Sequence, residues 1–308
     1  MRKIGEKKWS PHILSKSTLV TNGNNYMCTY DLNNGQILKL IKPKEDMKTA
    51  LQYGRYEEFI KELFKKLQLS KEFNIAALVL PNTIYFNKKD ELIGYTMPKI
   101  KGDTIDNVLS KITSLELYSK IFEILIDNVI ALNEEGIILP DLANTSNILI
   151  SKNLEKIHFI DYDGMQVQDS PSFVMSGLLN HKNNPMLNDR KYRKNDLFTK
   201  NLDKLSLLLI FVYYTTGKNF MCRDDLDTEL LQQINSILKQ GIKLIPNTEE
   251  FTDFFNSIGI NNTELSNLIE RIFNPQINNL YPKNAIKKLV KTHDISSSSN
   301  VIRTFMRK

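Results

Sequence analysis

The chain of 308 residues has only two cysteines, Cys28 and Cys222, far apart and with no CxxC partner. This excludes a disulfide framework and a cysteine-built zinc site, and leaves two reduced thiols of the kind usually found buried. The four histidines, His12, His158, His181 and His293, show neither the i,i+4 nor the His-x-x-Glu spacing of metal sites. Long hydrophobic runs are missing as well. The longest mostly apolar stretch, LSLLLIFVYY at 205–214, is about half of the roughly 20 residues that cross a bilayer. No membrane partner is expected, and the run reads as a buried core element. The N-terminal MRKIGEKKWSPHIL has positive charges without an apolar segment behind them, which argues against a secretory signal and for a cytoplasmic location. The charge excess is small: 41 basic and 35 acidic side chains leave +6 with the signs interleaved, so no nucleic-acid partner is expected.

What is present is an ordinary globular composition, 41% hydrophobic and 25% charged, at the length of about two domains. The first hundred residues carry strand patterns: STLV, NYMCTY and, after the turn residues Asn33-Asn34-Gly35, QILKLI; then AALVL, TIYF and ELIGYTMPKI. Between these two sets, 48–72 lacks proline, and Phe59, Ile60, Leu63, Phe64 and Leu67 make an amphipathic helical stripe beside Lys and Glu. From Thr104 the pattern changes to long helices. The first spans 114–135, with Ser114 as N-cap and Gly136 as the stop. The short strands IILP, NILI and KIHFI follow, then helices around 202–216, 226–240, 248–256, 263–274 and 283–291. The closing ISSSSNVIRTFMRK is a polar tail, with Ser296 to Ser299 read as solvated linker. No internal repeat is visible, which argues against a solenoid. A small β-rich half before a larger helical half is an α+β arrangement of two lobes, with a ligand site expected in the cleft between them.

The chemistry-bearing stretch is 136–167, GIILPDLANTSNILISKNLEKIHFIDYDGMQV. It sets a carboxylate (Asp141), an amide (Asn147) and two further carboxylates (Asp161, Asp163) at the ends of short apolar strands. Hard oxygen ligands brought together in this way suit Mg²⁺, which takes a few protein oxygens and leaves its other positions to water and phosphate. Turn-forming Asp and Asn residues that cap strands would give the same pattern.

This stretch resembles the catalytic and metal-binding segment of the eukaryotic-like protein kinase superfamily, GI-x-H-R-D-L-x-x-x-N-I-L followed by I-D-F-G. Four more segments resemble the family in the same order: QILKLIK, GYTMPKIKGDTI, LDKLSLLLIFVYYTTGK and ELSNLIERIFNPQINNLYPKNAIKKL. The resemblance implies a protein kinase-like bilobal fold, with a small antiparallel β-rich N-lobe over 1–98, a larger helical C-lobe over 99–294 and a tail over 295–308. It implies ATP and Mg²⁺ as cofactors. By residue, Asp141 matches the catalytic aspartate, and Asn147 and Asp161 match the metal-holding positions. Lys39 matches the phosphate-binding lysine, held by a helix glutamate for which Glu62 is preferred over Glu58. Met97 would be the gatekeeper, with Pro98 and Ile100 contacting adenine. Proline falls there only where a carbonyl and no N–H is needed. Asp203 matches the aspartate that braces the catalytic loop from beneath.

Departures accompany the matches. Leu139 and Pro140 replace the family histidine and arginine, so no basic residue stands there to pair with a phosphorylated activation loop. Asp141 to Asn147 is one residue longer than in the family, expected as a bulge, with Ser146 as the other candidate for the asparagine role. Only Gly23 remains of the glycine-rich loop, an extra aspartate follows Asp161, and no Ala-Pro-Glu segment is recognisable. The leading expectation is a divergent Ser/Thr kinase that phosphorylates a protein substrate. A small-molecule kinase and a nucleotide-binding pseudokinase are the alternatives, and no oligomeric state is specified.

Overall fold

The first strands of the chain are β1 (Gly5–Lys8), β2 (Thr18–Thr21), β3 (Met27–Asp31) and β4 (Gln36–Ile41). At the β3–β4 turn, Asn33 and Gly35 hold positive φ, 57° and 82°, as a tight hairpin requires. With β5 (Thr83–Phe86) and β6 (Leu92–Pro98) these strands form one six-stranded sheet in the order β1-β5-β6-β4-β3-β2. The computed structural model describes residues 2–22, 26–112, 115–173, 193–194, 197–204, 206–207 and 210. It divides into two compact units, Met1–Lys101 with His158–Val174 and Gly102–Ile157 with Met175–Lys308. The segment carrying Asp161, which follows the boundary expected at 98/99, thus packs with the first unit. The described structure is α+β. Among the described residues no helix is long and apolar enough to cross a membrane.

Two expectations for this sheet need correction. It is not wholly antiparallel, because β1 runs parallel to β5, with Gly5 opposite Thr83 and Lys8 opposite Phe86. Every residue of β1 is exposed, so GEKK shows no alternation; the strand exists because its backbone pairs along an edge. The run AALVL is not a ladder strand. It makes a single parallel bridge, Leu78 to Phe159.

The helical stretch read at 48–72 is two helices, α1 (Ala50–Gly54) and α2 (Tyr56–Leu69). Thr49 caps the first by accepting the Gln52 N–H at 3.1 Å. The stripe on α2 buries Phe59, Leu63 and Leu67 in a core with Tyr26, Met27, Val79, Ile84, Leu92, Tyr95 and Met97. Tyr26 stacks on Phe59 at 4.2 Å, and Phe173 meets both rings edge-on.

In the second unit β7 (Gly102–Thr104) precedes α3 (Ile105–Leu109) and α4 (Leu115–Glu134), followed by β8 (Ile137–Ile138) and β9 (Ile148–Ser151). Thr104 caps α3. α4 buries Leu117, Ile121, Phe122, Leu125, Val129 and Leu132. It ends at Gly136, whose φ of 76° is the left-handed stop expected there. Ser114 lies outside the described residues. β7 pairs antiparallel with β9, Asp103 opposite Ile150. At β10 (Ile157–Phe159) the chain returns to the first unit, where Val79 N–H donates to Phe159 C=O at 3.0 Å. β11 (Gln166–Val167) follows, and later a short hairpin of β12 (Arg193–Lys194) and β13 (Leu197–Phe198). Residues 200–204, 206–207 and 210 are helical; the other helices expected beyond them, and the tail, lie outside the described residues.

One close approach holds Lys39 to the sheet. A Cβ on Gly94 would lie 2.1 Å from the Lys39 carbonyl oxygen, a backbone atom that cannot swing aside. Gly94→Ala is therefore expected to lower stability by about 2–4 kcal/mol in urea unfolding. Gly54→Ala, whose Cβ would meet nothing within 4 Å, should leave the midpoint in place.

Candidate functional site

β4 runs between β3 and β6, which sets Lys39 opposite Thr29 and Tyr95. Its side chain is buried, and Nζ donates to Asp161 Oδ1 and to Asp163 Oδ1, the latter at 2.6 Å. These partners lie more than 120 residues on in sequence and arrive by local geometry. Asp161 is left-handed, φ 73° and ψ 44°, a conformation that aspartate tolerates better than most residues. A 3₁₀ turn over Tyr162–Gly164 follows, closed by Gly164 N–H on Asp161 C=O at 2.8 Å. The chain reverses within three residues, and both carboxylates meet one ammonium.

Further donors complete the cluster. Tyr95 OH donates to Asp163 Oδ1 at 2.6 Å. Lys66 of α2, 1% exposed, donates to the Met165 carbonyl at 2.6 Å and the Asp163 carbonyl at 3.2 Å. Tyr162 OH reaches back to the Lys66 carbonyl at 2.9 Å. Burial alone would lower Lys39, but Asp161 and Asp163 outweigh it and hold the ammonium well above its ordinary range. Burial likewise works to raise Asp163, and is overcome by Lys39 and the hydrogen bonds from Lys39 and Tyr95, which keep it ionised. Asp161 is pushed up by burial and by the neighbouring Asp163 charge, against Lys39. Lys66 is pushed down to about 8 by burial. Removing one member of such a buried set leaves a charge without compensation, typically a loss of about 3–5 kcal/mol.

The glutamates expected to hold Lys39 do not reach it. Glu62 Oε2 accepts from Ser170 Oγ at 2.7 Å, and Glu58 pairs with Arg55 at 2.9 Å. One turn beyond Glu62, the helix offers a lysine instead of a carboxylate, and Asp163 takes the place on Lys39. Of the residues expected to contact adenine, Met97 is buried in the first unit's core and Ile100 packs against it. Pro98 ends β6 opposite Gln36, and the following Lys99 N–H donates to Gly35 C=O at 2.9 Å. Gly23 lies outside the described residues.

In the second unit, Asp141 Oδ2 accepts from Asn144 Nδ2 at 3.0 Å and Asn147 Nδ2 at 3.1 Å. The extra residue of this loop is absorbed in a 3₁₀ turn, Thr145–Asn147, where Asn147 N–H donates to Asn144 C=O. Ser146 Oγ turns to Asn144 Oδ1 instead, at 2.6 Å. Asn144 and Asn147 thus both meet Asp141 through their side-chain amides. Two residues before Asp141, the Leu139 N–H donates to Asp203, 3.0 Å to Oδ1 and 3.2 Å to Oδ2, and Asn133 Nδ2 donates to Oδ2 at 2.6 Å. Asp203 is fully buried, and burial pushes its carboxyl up to about 7 against these hydrogen bonds.

No protein-family model and no curated protein matches the chain. Among the described residues no three His, Cys, Asp or Glu side chains gather as a metal cage. Asp161 offers carboxylate oxygens from a side chain 28% exposed. Asn147, with its amide N–H turned to Asp141, offers a carbonyl oxygen. Each, in its own unit, is a hard oxygen donor of the kind Mg²⁺ takes alongside water and phosphate.

Sequence reasoning missed Tyr95 and Lys66 and left Asp163 without a role. Lys66 had a signal: it lies seven residues after Phe59, on the buried stripe. Tyr95 had one only in the strand register opposite Lys39.

The Asp203 carboxyl, raised from about 4 to about 7, holds a proton in the folded chain that the unfolded chain has already released. Its contribution is retained below about pH 4 and lost as pH rises to about 7, at up to about 1.4 kcal/mol per pH unit. Denaturant unfolding between pH 4 and 7 should show this fall in the native chain, and Asp203→Asn should remove it.

Proposed function

We propose that the chain is an ATP- and Mg²⁺-dependent phosphotransferase of the protein kinase-like fold, passing the γ-phosphate to a Ser or Thr hydroxyl of a protein. The observation that carries this reading is the ion pair from Lys39 Nζ to Asp161 Oδ1, which joins the strand lysine to the aspartate of the I-D-Y-D-G motif. Two arrangements in the second unit add support: Asp203 holding the Leu139 N–H, and Asn147 meeting Asp141 in spite of the lengthened loop.

In this reading each residue has a defined task. Lys39 supplies a fixed positive charge to the nucleotide phosphates. Asp161 and Asn147 would hold Mg²⁺, which screens the phosphate charge when bound. Asp141, kept in position by Asn144 and Asn147, accepts the acceptor hydroxyl proton and orients that oxygen for in-line attack. Asp203 positions the loop through Leu139 without touching the reacting atoms. The extra aspartate of the motif, Asp163, is engaged by Lys39 and Tyr95. Because Leu139 and Pro140 stand where the family has basic residues, control by a phosphorylated activation loop is not part of the proposal.

Mg·ATP at about 100 times its Kd should stabilise the purified chain by roughly 2.7 kcal/mol, read as a rise in Tm of several degrees. No shift would discard the reading. Labelled phosphate should pass from ATP to a generic protein acceptor. Asp141→Ala should abolish transfer while keeping the Tm shift, and Asp161→Asn should abolish transfer. A shift without transfer in the native chain would indicate a pseudokinase.

A further inference from the structure

In the pattern I-D-F-G the position two after the metal aspartate is glycine, whereas in this chain it is Asp163. A glycine there carries no charge. Asp163 puts a carboxylate inside the first unit, 2.6 Å from Lys39 Nζ. Such a group is tolerable in the interior only when it is paired and hydrogen-bonded, and it is anchored on three sides. Lys39 and Tyr95 share its Oδ1, and Lys66 holds its own backbone carbonyl. The helix glutamates that could have held Lys39 are turned elsewhere, Glu62 to Ser170 and Glu58 to Arg55. Among the described residues, the side-chain hydrogen bonds of Lys39 go to Asp161 and Asp163.

We infer that Asp163, held by Tyr95, is the positioning residue that aims the Lys39 ammonium at the nucleotide phosphates, and that α2 supplies no carboxylate for this purpose. The inference rests on the phosphotransferase reading. It also changes what kind of control the site can have. A lysine held by a helix glutamate loses its aim when the helix swings away. Here the holder lies two residues from Asp161, on the same 3₁₀ turn, so lysine and metal aspartate are set together. α2 is tied to that turn by the Lys66 ammonium, which donates to two of its carbonyls. Displacing α2 would loosen the turn without taking away the partner of Lys39.

The experiment compares Asp163→Asn, Tyr95→Phe and Glu62→Gln in the full chain by two readouts. The first, without nucleotide, is the ¹H–¹⁵N signal of the Lys39 ammonium in lysine-labelled protein, assigned by its loss in Lys39→Met. The second is steady-state phosphate transfer from Mg·ATP. Asp163→Asn should move the ammonium signal and lower kcat by about 10- to 100-fold. KM for ATP should change far less, because a misaimed ammonium still attracts phosphate but no longer holds it in line. Glu62→Gln should change neither readout. If Asp163→Asn does not fold, Tyr95→Phe decides: it keeps the charge and the volume, and should still shift the ammonium signal and reduce kcat. Full activity in Asp163→Asn, an unmoved signal and kcat in Tyr95→Phe, or the kcat loss appearing in Glu62→Gln would each overturn the positioning role while leaving the phosphotransferase reading intact. A native chain that neither binds Mg·ATP nor transfers phosphate would overturn that reading and the positioning role with it.

Discussion

A lysine ammonium buried in a β-sheet is unstable by several kcal/mol unless carboxylates meet it there, and much of the first unit is arranged around that requirement for Lys39. The partners come from a turn more than 120 residues away, so the chain must return at β10 and pack 158–174 back onto the unit it left at Lys101. The left-handed Asp161, the 3₁₀ turn, the Tyr95 hydroxyl and the Lys66 ammonium all serve to hold two carboxylates near one cation. Four ionisable side chains, Lys39, Lys66, Asp161 and Asp163, sum to zero formal charge, which lets them share a low-dielectric interior.

The same constraint accounts for the role of α2. An amphipathic helix ordinarily turns its lysines to water, yet Lys66 sits on the buried stripe with Leu63 and Leu67 and caps the carbonyls of Asp163 and Met165. In the resemblance to kinases the helix contributes a carboxylate to the strand lysine. In this chain the charges are exchanged: the motif carries the carboxylate and the helix carries the cation. Electrostatic balance is kept, but each charge sits on a different element.

The second unit solves a smaller problem with hydrogen bonds. The loop from Leu139 to Asn147 closes on itself through a 3₁₀ turn, Thr145–Asn147, that brings the Asn147 amide to Asp141. Asp203 anchors the start of that loop through a backbone N–H, an interaction that does not depend on which side chain stands at 139.

Much was legible in the sequence because it depends on local order. The Asn-Asn-Gly hairpin, the apolar run of β4, the stripe of α2 and the glycine after α4 each follow from residues a few positions apart. The stretch 136–167 likewise marked Asp141, Asn147 and Asp161, and the resemblance to kinases marked Lys39 and Asp203, as residues of interest. The edge strand GEKK and the bridge at Leu78 were not legible, since backbone pairing leaves no trace in hydrophobic pattern. Nor was the partner of Lys39. Glu58, Glu62 and Asp163 all carry carboxylates, and the resemblance to kinases pointed to the helix glutamates. Which carboxylate reaches a buried ammonium depends on the rotation of α2 and the reversal after Asp161, which only the folded chain sets: tertiary structure turned Glu62 to Ser170 and brought Asp163 to Lys39.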